Sequence, residues 1–411
     1  MADSTALPRL LDELTGGART DAIGQLAIVA RTTHRIGEVE TLWRSLAASG
    51  IDSPGQSYDF TRVWVQTQAI AEADQFYIVG EVAGIPVALF ALHRRMRHGV
   101  RQLAWFPGQH VGCNAPLIDR ARLAAMTAEQ RRTLWKTMLG RIKGVDVVFL
   151  RAVPETIVDE VDVFAELGTW MQGDTLYRAQ FSSWDEANTT QRSKSRRKHD
   201  RQQGEKLEAM GEVSFQELAQ GPQTTAVLDL MFRQRAARFV EMGVSDPFCV
   251  ETIRNFYDAT VAPGSGVDVR IHALRLNGDI VALRYNIAHG DRLFCLISSM
   301  SMEPEIQPGS PGKQCLLRVM QTVFDEGYRV FDMGAGFTDE KRHWCNVQVP
   351  VRQHYISLTG LGRIASGLHQ SWQLHRRRIK DNKQLLGFIK SVRSTLSKAK
   401  AGETKVDSPE D

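Results

Sequence analysis

The densest run of reactive side chains is Phe331-Asp332-Met333-Gly334-Ala335-Gly336-Phe337-Thr338-Asp339-Glu340-Lys341-Arg342-His343-Trp344, where an apolar strand gives way to a glycine-rich loop and then to closely spaced ionisable groups. Loops held at both sides by a rigid scaffold are common places for function. Asp332, at the strand end, has the position of a general base, and equally of a carboxylate that caps the following turn. His343 titrates near neutral pH and can accept a proton, and Lys341 can hold an acidic acceptor or a developing negative charge. Each of the two also fits an exposed helix face.

A second chemical stretch is Gln307-Pro308-Gly309-Ser310-Pro311-Gly312-Lys313, followed by Gln314. Ser310 suits an N-cap, Pro311 the first helical position, and Gly312 a close approach of ligand to backbone. Unpaired amides, the helix dipole and Lys313 together would cradle a pyrophosphate such as that of coenzyme A; a bare turn before a helix is the other reading. Cys295 and Cys315 lie near this stretch, but no histidine is placed to activate either, so both read as packing residues.

These segments need elements to hold them. Lys313–Glu326 has Leu316, Leu317, Met320, Val323 and Phe324 on one helical face, and Gly327 ends it before the strand Val330–Met333. Leu293–Ser299 reads as the strand before the cradle. The first half repeats the order. Gly84-Ile85-Pro86-Val87-Ala88-Leu89 and Gly278-Asp279-Ile280-Val281-Ala282-Leu283 share G-x-x-V-A-L, 194 positions apart, each inside a hairpin. A capping box at Thr127-Ala128-Glu129-Gln130 opens a helix that stops at Gly144 before the strand Val145–Leu150. Duplication of one α/β unit is the reading taken.

Domains are accordingly expected at 24–183 (first lobe, acceptor side), 184–359 (second lobe, acyl transfer), 360–400 (basic helical extension) and 401–411 (disordered tail). With 411 residues, 43% apolar and 24% charged, two globular domains are ordinary. No signal segment and no apolar run of about 20 residues is read. Five cysteines without a C-x-x-C pair indicate neither a disulfide framework nor a zinc site. A cytoplasmic protein without a metal, peripheral at the inner face of a membrane at most, is expected.

The S-P-G-K element before a helix, then G-Y-R-V-F-D-x-G-x-G and a lysine nine positions after the aspartate, resemble the GNAT-superfamily acetyltransferases of the CelD/BcsL type, named for bacterial cellulose biosynthesis. Arg192-Ser193-Lys194-Ser195-Arg196-Arg197-Lys198, Arg233-Gln234-Arg235-Ala236-Ala237-Arg238-Phe239 and the G-D-I-V-A-L hairpin look like that family as well. The likeness covers about 183–351 well and the first lobe weakly.

The resemblance implies a tandem GNAT-like acyl-CoA N-acyltransferase fold of the α/β (α+β) class, similar to Fem-type transferases. Two mixed, mostly antiparallel sheets flanked by helices and a C-terminal helical extension are expected. Acetyl-CoA would enter between diverging strands Leu293–Ser299 and Val330–Met333, with pantetheine on the first and pyrophosphate at Gly309, Ser310, Gly312, Lys313 and Gln314. A backbone N–H near Ile297 or Ser298 would polarise the thioester carbonyl, an effect worth about 3 kcal/mol per well-placed donor. Asp332 is the first candidate base and His343 the second, while Lys341 matches the family's recurrent lysine; transfer would be direct. The sequence lacks the Q/R-x-x-G-x-G/A loop of better-known GNAT enzymes, and its first lobe has no S-P-G-K element. That lobe offers Trp105–His110 and Cys113–Pro116 instead, as a lining of an acceptor cleft or as a packed loop.

Seven Lys or Arg between Arg192 and Lys206 face only Asp200 and Glu205. Arg196, Arg197 and Arg235 are therefore expected to meet an anionic acceptor, although a solvated helix face explains such runs too. His375-Arg376-Arg377-Arg378-Ile379-Lys380, followed by Leu385, Leu386, Ile389, Val392 and Leu396, reads as a basic amphipathic helix for docking or a membrane surface. Three functions compete: acetylation of an amine or hydroxyl on a free or lipid-linked sugar of an envelope polysaccharide, aminoacyl transfer from tRNA, and a non-catalytic cyclic-dinucleotide receptor using Arg376–Arg378 and Asp381. DNA is not an expected partner, and the sequence leaves the oligomeric state unassigned.

Overall fold

The computed structural model describes residues 27–155, 161–221, 223–243, 246 and 248–381. The first residues of the expected first lobe, the apolar positions 385–396 and the tail 401–411 lie outside the described residues. The described chain forms thirteen strands: β1 (Ile28–Thr33), β2 (Gln75–Val82), β3 (Ile85–Arg97), β4 (Val100–Trp105), β5 (Leu117–Ile118), β6 (Val147–Pro154), β7 (Thr169–Gln180), β8 (Val213–Leu218), β9 (Val269–Leu276), β10 (Asp279–His289), β11 (Arg292–Met300), β12 (Val330–Ala335) and β13 (Val347–Ser357).

All thirteen belong to one sheet, in the order β1-β2-β3-β4-β6-β13-β7-β12-β11-β10-β9-β8, with β5 beside β3. Read from either edge the path is the same: four antiparallel strands, a parallel partner (β6 on β4, β12 on β11), then a central strand. Mixed, mostly antiparallel pairing is thus present in both halves, and the two sheets merge edge to edge. They merge by exchange. β7 follows β6 in sequence yet pairs with β12, while β13 follows β12 yet pairs with β6, and β7 and β13 pair with each other at the centre.

The repeat has a local cause. Ala83-Gly84 and Asn277-Gly278 both sit at positive φ, 51° and 78° in the first pair and 53° and 87° in the second. Two left-handed residues in succession match the twist of the strands they join, which fixes β2–β3 and β9–β10 as tight hairpins. Thr127 and Gln130 form the reciprocal capping box, and the helix they open runs Ala128–Leu139, shorter than the periodicity implied. Ile142 is buried in the turn beyond it.

Three large cores flank the sheet. One packs the helix Ala128–Leu139 on β2, β3, β4 and β6, and its counterpart packs the helix Pro311–Asp325 on β9, β10, β11 and β12. The third is shared by both halves, because Tyr58–Thr67 packs on Glu251–Val261 through Phe60, Trp64 and Phe256. The helix Gly360–Asp381 follows β13 and lies on β4, β6 and β13 of the first half.

Candidate active site

β11 and β12 pair in parallel over only three positions, Arg292↔Val330, Leu293↔Phe331 and Phe294↔Asp332, and then separate. Opposite β10, β11 carries a bulge at Leu296, since Asn286 faces Cys295 while the next residue back, Tyr285, faces Ile297. A bulge re-aims the backbone beyond it. Past Phe294, no described strand covers the β12 side of β11, so Ile297 and Ser298 border an open wedge between strands. These are the two strands that the family resemblance implied would diverge.

At the wedge's helical side, the expected cradle is partly filled. Ser310 occupies the N-cap position in a left-handed conformation, φ 48°, and its side chain makes no capping bond; it accepts instead from Gln203 Nε2 at 2.7 Å. Gly309 lies against Leu207, where an added Cβ would come within 2.9 Å. Gln314 is buried and donates to the Asp200 carbonyl at 2.7 Å. These three therefore hold the helix Lys194–Glu208, which the sequence did not place against this turn, and do not face a phosphate. Gly312 and Lys313 remain half-exposed, and among the described residues Lys313 pairs with no acid.

Arg284, which sequence reasoning missed, completes this corner. It projects from β10, 4% exposed, and donates weakly to the Gly312 carbonyl at 3.4 Å, the Glu340 carboxylate at 3.4 Å and Cys295 Sγ at 3.6 Å. Its Nε has no partner. Besides its ion pair with Glu340, this buried guanidinium has long bonds and an orphan donor, whereas such groups are ordinarily satisfied. The only sequence signal was an arginine inside the otherwise apolar stretch Val281–Tyr285.

Asp332 is buried, and both oxygens are engaged: Oδ2 accepts from Arg178 Nε at 2.8 Å and Oδ1 from the Gly334 N–H at 2.7 Å. Arg178 reaches on to Asp52, which also pairs with Arg120 at 2.6 Å and Arg292 at 3.3 Å. Burial would raise the Asp52 pKa, but Arg178, then Arg120 and Arg292, bring it below the usual carboxylate value. With both oxygens engaged, the first candidate base is a strut in an ion-pair chain joining the halves.

Lys341 is corrected on the same ground. Its ammonium donates to the carbonyls of Gly334 (3.0 Å), Ala335 (2.8 Å) and Gly336 (2.6 Å), which uses all three N–H groups to clamp the loop after β12. Burial pulls its pKa below that of an exposed lysine. His343 stands differently: half-exposed, 3.6 Å from Asp339, with its pKa lowered first by burial and then by Arg196. It is neutral, hence able to take a proton, at neutral pH.

The three expected anion-binding arginines separate. Arg196 pairs with Asp200 at 3.1 Å and Arg197 donates to the carbonyls of Asn188 and Arg192, so both brace their own helical region rather than face an acceptor. Arg235 does approach the wedge. Its Nη1 is 3.4 Å from the Ser298 carbonyl and its Nε is 3.8 Å from the Asp246 carboxylate, too far for a hydrogen bond, beside a 200 Å³ cavity lined by Gln234, Arg238, Phe239, Ser298 and Met300. Burial raises the pKa of Cys295, and that of Cys315 to about 11, so neither offers a thiolate. In the first half, Trp105, Phe106 and Cys113–Pro116 are buried, and Gly112 abuts Gly334, where an added Cβ would come within 2.8 Å. That segment is a packed loop against the end of β12.

Among the described residues no cluster of His, Cys, Asp or Glu has the makings of a metal site, and no helix is long and apolar enough to cross a membrane. Residues 194–342 match the acetyltransferase (GNAT) domain family, which places a GNAT-type domain over the wedge and its flanking helices. No curated protein matches the sequence. Among solved structures, the C-terminal domain of a putative lysylphosphatidylglycerol synthetase from Agrobacterium fabrum is similar in fold, at 11% identity and TM-score 0.50, over 82% of this chain and 96% of that one. A conserved protein of unknown function from Bacteroides thetaiotaomicron is similar at 10% identity and TM-score 0.50, over 80% and 99%. A tandem GNAT protein from the clavulanic acid biosynthesis pathway aligns at 14% identity and TM-score 0.43, over 81% and 98%.

Proposed function

We propose that the chain is an acyltransferase that draws its acyl group from acyl-CoA bound in the β11–β12 wedge and passes it directly to an amine or hydroxyl. The observation that carries this is the corner formed by Gly312, Lys313 and Arg284. An orphan buried guanidinium Nε beneath a helix N-terminus fits the charge of a pyrophosphate, and it stands where the two strands part. The half-exposed Gly312 fits the close approach such a group needs.

On this reading pantetheine runs along β11, and the N–H groups at Ile297 or Ser298, beyond the bulge, polarise the thioester carbonyl. The acceptor's proton goes to His343, and its nitrogen or oxygen bonds to the acyl carbon as the thiolate of CoA leaves. Asp332 and Lys341 act indirectly, holding β12 and its loop open. Arg235 and the cavity beside it favour an acceptor with a negative group near the reacting atom, such as a sugar phosphate of envelope polysaccharide synthesis. The tRNA-dependent reading gains nothing, since Arg196 and Arg197 are paired within the chain.

Calorimetric titration of acetyl-CoA tests the reading. The wild-type protein is expected to bind with micromolar affinity. Gly312→Val, whose new side chain displaces only the flexible Met300 tip, and Lys313→Ala should each weaken binding about tenfold or more with thermal stability kept. Absence of binding by the folded wild-type protein sinks it.

A further inference from the structure

The helix Gly360–Asp381 faces two ways. Inward it meets the sheet through polar and small residues: Ser366 bonds Ser357 at 3.1 Å, His369 bonds the Tyr355 hydroxyl at 2.9 Å, and Gly362 touches the Asp146 carbonyl so closely that an added Cβ would come within 1.8 Å. Outward it presents Leu361, Ile364, Leu368, Trp372 and Ile379, spaced three, four, four and seven residues apart and 37–69% exposed. An apolar stripe turned to water on a helix docked by its polar side is the reverse of normal packing.

Between this stripe and the β3–β4 hairpin lies an apolar groove of 430 Å³. Val147, Phe149 and Tyr355 form its floor, Leu361, Ile364 and Leu368 one wall, and Arg97 and His98 its opposite rim. Positive charge surrounds it. Arg95 and Arg151 lie near Arg97, close enough that their mutual repulsion lowers the Arg95 pKa after burial has done so. Arg376, Arg377 and Arg378 extend the helix, with Arg376 over the Trp372 ring at 5.4 Å. None of these six arginines has an ion pair among the described residues, in a chain where most other arginines are paired.

We infer that this face docks on an anionic lipid bilayer, with the stripe Leu361–Ile364–Leu368–Trp372 in the interface, the arginines on lipid phosphates, and the groove receiving an acyl chain. Apolar area and cationic charge on one face are the two contributions that hold an amphipathic helix at a membrane, and a tryptophan between them suits the headgroup level. Charge complementarity favours lipid over a second copy of this chain, since two such faces would oppose like charges. The inference stands independently of the acyl transfer proposed above, because none of these residues borders the β11–β12 wedge.

Co-sedimentation of the full chain with vesicles of phosphatidylcholine alone, and of phosphatidylcholine with 30% phosphatidylglycerol, tests it. Binding should be at least tenfold stronger to the anionic vesicles and should fade in 0.5 M salt. Leu368→Glu and the double variant Arg97→Ala/Arg377→Ala should each reduce it, the latter by about fivefold per arginine, with unchanged thermal unfolding and acetyl-CoA titration. Equal affinity for both vesicle types, or full binding by Leu368→Glu, overturns the inference. So does a solution dimer that Leu368→Glu dissociates, which would assign the stripe to a second copy.

Discussion

At the scale of single residues, the structure shows Asp332 and Lys341 fully engaged within the chain, while His343 is half-exposed. In the reaction proposed above, His343 takes the acceptor's proton, and its lowered pKa then sets the acid limb of activity. The base works only when neutral, so kcat/KM should fall as pH drops through a pKa lying below the roughly 6.5 of free imidazole. Asp339 opposes that shift, while Arg196 and Arg342 reinforce it. A pH-rate profile of wild type and His343→Gln checks this; the variant should lose the limb along with about a hundredfold in kcat. Asp52 gives the opposite kind of prediction. Its pKa is lowered in the folded chain, so it stabilises fully above the unfolded carboxylate value of about 3.9, and the contribution drains away as pH falls through the folded value. Asp52→Asn removes the buried carboxylate that Arg120, Arg178 and Arg292 share and should cost about 3–5 kcal/mol at pH 7 by urea unfolding. That difference between variant and wild type should narrow once the pH is low enough to protonate native Asp52.

At the scale of elements, what was legible in the sequence is what local chemistry specifies. Asn277-Gly278 is a strong local signal for a tight hairpin, Gly84 marks its counterpart, and Thr127 and Gln130 cap a helix from within four residues, whereas the parting of β11 from β12 was legible only through the family resemblance. What stayed illegible depends on partners far along the chain. Asp332 reads as a free carboxylate until Arg178, 154 residues earlier, comes beside it. Lys341 reads as an exposed cation until its short helix turns it back on the loop it follows, and Gly309 and Ser310 read as an open cradle until Leu207 and Gln203 cover them. Arg284 was passed over because a strand arginine on an apolar face signals nothing without its neighbours. The contact between the C-terminal helix and the sheet is of this non-local kind and makes its own prediction. Gly362→Val cannot fit against the Asp146 carbonyl, so the helix should lift from β6 and β13. Faster trypsin cleavage within 363–378, with most of the unfolding enthalpy retained, is the expected result.

At the scale of the whole molecule, the exchange of β7 and β13 and the core shared by both halves make separate unfolding impossible without exposing the sheet centre. Calorimetry should show one transition, with equal calorimetric and van't Hoff enthalpies, rather than the two expected of independent domains. The same topology matters during synthesis on the ribosome. β6 ends at Pro154, but its neighbour β13 is not translated until Val347, roughly 190 residues later. At about 5–20 residues per second the apolar edge Val147–Leu150 waits on the order of 10–40 s for its partner. Through that interval the nascent first half is a sticky, unfinished sheet, and the cell must shield it until the last strand arrives.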